Sequence, residues 1–376
     1  MFLARKELWF SKKRFLLIGF IIVLISWLVF MLSGLGNGLS DLGTAAIRYS
    51  PMDLAIFEEE AEFTLSKSTL PGEMIDEVAG LDGVTEAAGI NTTIGAVLKG
   101  ATNGEADDNK KTSVMFIGVE PGSFIEPKLV SGEPLNADQK MQVLVDKSLE
   151  LEGFAIGDIL TLNGRDTKFE VVGMIENQKL NHVPAIYMPL ETLREVKYAV
   201  PGSDMGIEAA VSSIFVKVDG ITAEEIAQQI DGVEVGDKKA TLNGVPGYSA
   251  ESGTINLMLW LLVFISAFVV AVFFYVLTTQ KTQQFGVMKA IGASNGFVIF
   301  TVVSQVFLLT GVSILLGIGL TFLTKLALPV EMPFNLLTDR VVLYGLTLLG
   351  TSLLGSLFSV SSIIKIDPIT ALGRAE

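Results

Sequence analysis

The sequence predicts a membrane protein in which four transmembrane α-helices carry one α+β extracytoplasmic domain. Three observations predict it. Segments 15–37, 255–279, 297–324 and 341–364 are strongly apolar and contain no Asp, Glu, Lys or Arg, and about 20 such residues cross a hydrocarbon core of about 30 Å. The long stretch 38–254 between the first two is acidic and mixed, with 16 Lys/Arg against 36 Asp/Glu, whereas the rest of the chain holds 11 against 5. Five of those 11 basic residues precede the first span. Because cytoplasmic segments carry the Lys/Arg excess, the N-terminus is expected inside. Residues 38–254 then fall outside, 280–295 inside, 325–340 outside and the C-terminal tail 365–376 inside, for a multi-pass protein of the cell membrane.

In chain order, residues 1–14 read as a short amphipathic helix at the inner interface, with Phe2, Leu3, Leu8, Trp9 and Phe10 interleaved with Arg5, Lys6, Lys12 and Lys13. A cleaved signal peptide would share the basic start. However, the apolar run here is about twice the 7–15 residues of a signal core, and no A-x-A-like site follows it, so a retained anchor is expected. The first span closes on a glycine-rich stretch in which Gly34 and Gly38 form a G-x-x-x-G pair, a candidate for close packing against a second copy of the chain.

The outer region alternates strand and helix signals. Helices are expected over 71–79, 147–151, 189–196 and 222–230. Strands are expected over 84–90, 113–119, 143–145, 159–162, 169–174 and 214–218, with a loop over 99–111. Segment 280–295, QKTQQFGVMKAIGASN, predicts a short helix: Phe285, Met288 and Ile291 recur at helical spacing and Gly292 stops it. An apolar stripe presented to the cytoplasm needs something to dock into. Asp367-Pro368 starts a short terminal helix.

Chemistry is scarce. No phosphate loop, G-x-S-x-G or H-E-x-x-H motif occurs, so neither ATP binding in the P-loop manner nor hydrolytic catalysis is expected. The chain has no cysteine, which removes thiolate metal sites. His182 is the one histidine and reads as a bystander in an outer loop. Glu58, Glu59, Glu60 and Glu62 read as a solvated acidic face. Spans without charge offer no carrier for a proton relay, which favours an amphipathic cargo taken from the bilayer. Met31, near the outer end of the first span, either fills helix packing or offers a thioether to haem iron.

The layout resembles the MacB/FtsX-type (type VII) ABC permeases. The resemblance is carried by the basic N-terminus, the segment 283–293 (QQFGVMKAIGA) and the terminal D-P-I-T-A-L at 367–372. It implies two copies of the permease working with two copies of a separate ABC ATPase, which hydrolyses the ATP. Phe285, Met288, Lys289 and Ile291 are then the coupling residues. No enzymatic activity, intrinsic cofactor or nucleic-acid partner is expected. The opening M-F-L-A-R-K-E, R-F-L-L-I-G at 14–19 and F-M-L-S-G-L at 30–35 are further similar to HrtB-type haem exporters. That resemblance implies haem as transported substrate, with Met31 as a ligand and Glu58 or Glu59 as a candidate carboxylate. Export of a peptide or antibiotic, or FtsX-like control of a cell-wall hydrolase, would use the same layout.

Overall fold

The computed structural model describes residues 12–99, 111–329 and 332–364, with side chains described as far as 357. Most of the expected N-terminal helix, the 99–111 loop and the terminal helix at 367–372 lie outside the described residues. The chain divides into two compact units, Met1–Gly38 with Gly253–Glu376, and Leu39–Ser252.

The first unit is helical. It holds the N-terminal part of α1 (Lys12–Arg48), most of α6 (Tyr248–Gln280), the short α7 (Thr282–Ala290), α8 (Asn295–Ala327) and α9 (Thr338–Ile364). Four of these helices are long and apolar enough to cross a membrane. Two clusters bind them together. One joins Phe15, Ile18 and Ile22 of α1 to Phe274 of α6, Phe285 of α7 and Val302 of α8. The other joins Val29 and Phe30 to Leu259, Val263, Ile314 and Leu348.

The sequence pattern closes the first span at residue 37, but α1 runs on to Arg48. Glycine inside a helix costs about 1 kcal/mol relative to alanine. Here the glycines are kept helical because neighbours fill the space a side chain would need: a Cβ on Gly36 would stand 2.5 Å from Ile255. Beyond them, Ala45, Ala46 and Ile47 are buried, and Arg48 pairs with Asp41 two turns back at 2.8 Å. The α8 start is capped by Ser294, whose hydroxyl accepts from the Phe297 amide.

The second unit is an α/β domain built on one mixed sheet of β1 (Leu54–Glu58), β2 (Val84–Lys99), β3 (Lys111–Val119), β4 (Leu129–Gly132), β5 (Gln142–Asp146), β6 (Ile159–Leu162), β7 (Lys168–Ile175), β8 (Lys179–Leu180), β9 (Val183–Pro189), β10 (Ser213–Val218) and β11 (Val233–Asp237). The order is β11-β1-β10-β2-β3-β9-β5-β7-β4. The β3–β9 and β5–β7 pairs are parallel, and the remaining pairs are antiparallel.

Two lobes share β2. Its first half pairs β10 and its second half pairs β3 and β6. In the first lobe, α2 (Met74–Ala79) and α4 (Ala223–Gln229) contribute Val78 and Ile226 to a core with Ile56, Ile214 and Val216. The second lobe packs Val97, Phe116, Leu160, Phe169 and Ile186 together, with Leu193 of α3 (Leu190–Lys197). A last short helix, α5 (Lys238–Asn243), follows β11 and is N-capped by Asp237.

Candidate functional site

The α6–α7 turn is tied to the start of α1. Arg14 Nη1 donates to Gln280 Oε1 at 2.8 Å, and the Lys281 ammonium stands 5.2 Å from the Phe15 ring centroid. From there α7 runs to Ala290, and Gly292 at φ +101° ends it.

The expected stripe divides. Phe285 is 3% exposed and packs with Phe15, Phe274 and Val298, and Met288 leans on the same cluster. Phe285 therefore anchors the segment and is not presented to a partner, a correction that follows from its place in the bundle core. Ile291, one residue past the helix, is 80% exposed, Val287 is 44% exposed and Lys289 is half-buried. The large apolar side chains this segment exposes are Val287 and Ile291, beside the half-buried Lys289.

The glycine pair also has a different use from the one expected. A Cβ on Gly34 would stand 2.4 Å from the Phe334 ring, and one on Gly38 would stand 2.4 Å from the Pro333 carbonyl. The Asn335 amide donates to Gly34 O at 2.9 Å. The α8–α9 connection of the same chain thus occupies the G-x-x-x-G face, so Gly34 and Gly38 are not available as a dimer contact. Further back along α1, Gly317 of α8 admits Ser26 and Trp27, and Trp27 Nε1 donates to Thr324 Oγ1 at 3.0 Å.

Met31 is half-buried on α1, next to the fully buried Phe30. Glu58 ends β1. Its carboxylate accepts the Thr69 amide at 3.0 Å while its own amide donates to Ser68 Oγ, so its charge is used to hold the 68–69 turn. Glu59 is exposed. Met31 belongs to the helical unit and both glutamates belong to the other, so the candidate ligands do not share one unit. Among the described residues, no three His, Asp or Glu side chains converge on a position that could hold a metal ion.

His182 has more to do than a loop bystander. With Asn181 it forms the two-residue turn of the β8–β9 hairpin, both at positive φ (52° and 63°). That is the mirror-image turn whose twist suits a hairpin, and it normally selects Asn-Gly. The two turn amides donate to α1 carbonyls, Asn181 to Gly43 at 2.9 Å and His182 to Leu42 at 3.0 Å. His182 Nε2 lies 3.7 Å from Glu251 Oε2 at the start of α6. The hairpin tip therefore clasps both helix segments that belong to the α/β unit.

One lysine is chemically displaced. Burial pushes Lys197 down to about 8, because desolvation disfavours the ammonium. Its Nζ donates to Asn91 Oδ1 at 2.5 Å and to Ser212 Oγ at 3.0 Å. A hydroxyl beside a low-pKa amine is a nucleophile pattern, but Asn91 and Ser212 are 0% exposed and no substrate reaches them. The trio is a satisfied core network.

Residues 256–368 match the FtsX-like permease C-terminal family. Over 379 aligned residues covering 100% of both chains, the sequence is 29% identical to a Staphylococcus haemolyticus protein named as a putative hemin transport system permease, HrtB, and 28% identical to its Staphylococcus epidermidis counterpart. Among solved structures, the chain is similar to the periplasmic region of MacB from Actinobacillus actinomycetemcomitans, with a TM-score of 0.37 and 16% identity over 53% of this chain and 94% of that one. It is also similar to the extracellular domain of the ABC-type transporter YknZ from Gram-positive bacteria, with a TM-score of 0.34 and 14% identity over 49% of this chain and 99% of that one. The resemblance to MacB/FtsX-type ABC permeases is thus borne out, locally by the FtsX-like match and along the whole chain by the likeness to HrtB-type permeases.

Proposed function

We propose that this chain is the permease subunit of an ABC-type efflux system that exports haem or a similar amphipathic compound taken from the membrane, using ATP hydrolysed by a separate subunit. The full-length likeness to relatives named for hemin transport carries this reading. In it both termini are cytoplasmic, the α/β unit is extracytoplasmic, and two copies of the chain work with two ATPase subunits. The exposed apolar tip of α7, Val287 and Ile291, docks on the ATPase.

Met31 is retained as the haem ligand within the helices. Glu58 is the weaker carboxylate candidate because its charge already accepts a backbone amide, which leaves Glu59. The test is an absorption spectrum of the purified chain with haemin. A Soret shift that Met31→Ala alters supports the ligand, and one that it leaves unchanged removes Met31. A haemin spectrum that the chain leaves unchanged, together with wild-type haem tolerance in a deletion strain, removes haem as cargo. A cell-separation defect in that strain would point instead to control of a cell-wall hydrolase.

A further inference from the structure

An open groove of about 1210 Å³ runs between α1 and α8. Leu16 and Phe20 line one wall and Leu316 and Leu323 the other, and all four are more than half exposed. The polar atoms beneath are satisfied internally, since Ser313 Oγ donates to Gly19 O at 3.2 Å. Gly319 leaves open space on the α8 wall: a Cβ built there meets nothing within 4 Å. Among the described residues lining the groove, Lys12 at one end is the one that carries a charge.

The length of the walls and the charge at one end fit a lipid. From Lys12 to Val23 the α1 wall rises about 17 Å, and from Leu308 to Leu323 the α8 wall rises about 22 Å, at 1.5 Å per residue. Half of a hydrocarbon core of about 30 Å is about 15 Å. Each wall is therefore at least as long as one leaflet is deep, enough to take a whole acyl chain, with a cation at one end and hydrocarbon walls beyond it.

We infer that the α1–α8 groove holds an acyl chain of an anionic phospholipid of the cytoplasmic leaflet, with its headgroup phosphate at Lys12. The choice of leaflet rests on the orientation proposed above. A basic residue at the membrane surface favours an anionic lipid by about 1 kcal/mol, which is about fivefold in occupancy.

The experiment uses the full chain in nanodiscs of phosphatidylcholine with a minor fraction of phosphatidylglycerol, extracted gently and weighed by native mass spectrometry. Wild type is expected to keep phosphatidylglycerol about fivefold above its share of the bilayer. Lys12→Gln should abolish that preference, and Gly319→Phe, which fills the open space on the α8 wall, should release the retained lipid of both kinds. Retention in the bulk ratio by wild type overturns the proposal, as does undiminished retention by a folded Gly319→Phe chain. Loss of the dimer on Gly319→Phe would assign the groove to a second copy. Displacement of the retained lipid by haemin would assign it to cargo. If Gly319→Phe does not fold, Lys12→Gln alone decides. None of these readings uses the ATPase, so failure here leaves the permease reading intact, and failure of haem binding leaves this site intact.

Discussion

Ile291→Ala and Phe285→Ala separate two roles that share one segment. Ile291 is 80% exposed, so truncating it should change folding stability by no more than about 0.5 kcal/mol. Fully burying an isoleucine gains about 1.5–3 kcal/mol, and an ATPase surface that covers this side chain would recover most of that. Ile291→Ala should therefore cost about 1–2 kcal/mol of docking, or roughly five- to thirtyfold in the ATPase concentration giving half-maximal stimulation. Phe285 is 3% exposed among Phe15, Phe274 and Val298, and a buried Phe→Ala change costs about 3–5 kcal/mol. That variant should lower the unfolding temperature first and lose coupling only as a consequence. The assay titrates purified ATPase subunit onto each permease variant in nanodiscs, with thermal unfolding measured in parallel. An Ile291→Ala chain with wild-type half-saturation would refute the docking surface, and an unchanged unfolding temperature for Phe285→Ala would refute the anchor.

Gly38→Ala places a Cβ against the Pro333 backbone, so it should cost about 1–3 kcal/mol. Gly311→Ala, whose Cβ meets nothing within 4 Å, should be neutral or gain up to about 1 kcal/mol; thermal unfolding in detergent checks both. Lys197 titrates near 8 when folded and near 10.5 when unfolded, so the unfolded chain holds the extra proton between those values. Stability should therefore rise from pH 8 to 10.5, by roughly 3 kcal/mol as a ceiling, with Lys197→Met flattening the rise; denaturant midpoints across that window decide it. His182→Gly should relieve the positive-φ turn and raise stability by up to about 1 kcal/mol while removing the Glu251 contact. A lower unfolding temperature would show that the contact outweighs the strain.

The membrane helices were legible because buried helices of soluble domains rarely run so long without a charge. Their ends were less so, since glycines 34–38 look like a stop until Ile255 and Phe334 are seen to fill the space beside them. Strand β9 was hidden by its two prolines, and β1 and β11 by neighbouring acidic residues that sequence reasoning assigns to solvent. For α7, a period of three to four residues marks a face but not the direction it turns. Phe285 points into the bundle, whereas Ile291 lies past the last helical residue and so leaves the stripe. The hairpin clasp at Asn181-His182 was missed because the usual Asn-Gly signal is absent and its partners are α1 carbonyls far away in sequence.

Strand β2, 16 residues long, has a mechanical consequence. At about 3.3 Å per residue it measures about 53 Å, and it is laddered first to one lobe and then to the other. A continuous girder of this kind leaves no hinge between the lobes. Torque applied at one end rotates the whole α/β unit as a stiff lever instead of prying its halves apart. A compound wedged into the seam between the lobes would find no motion there to jam.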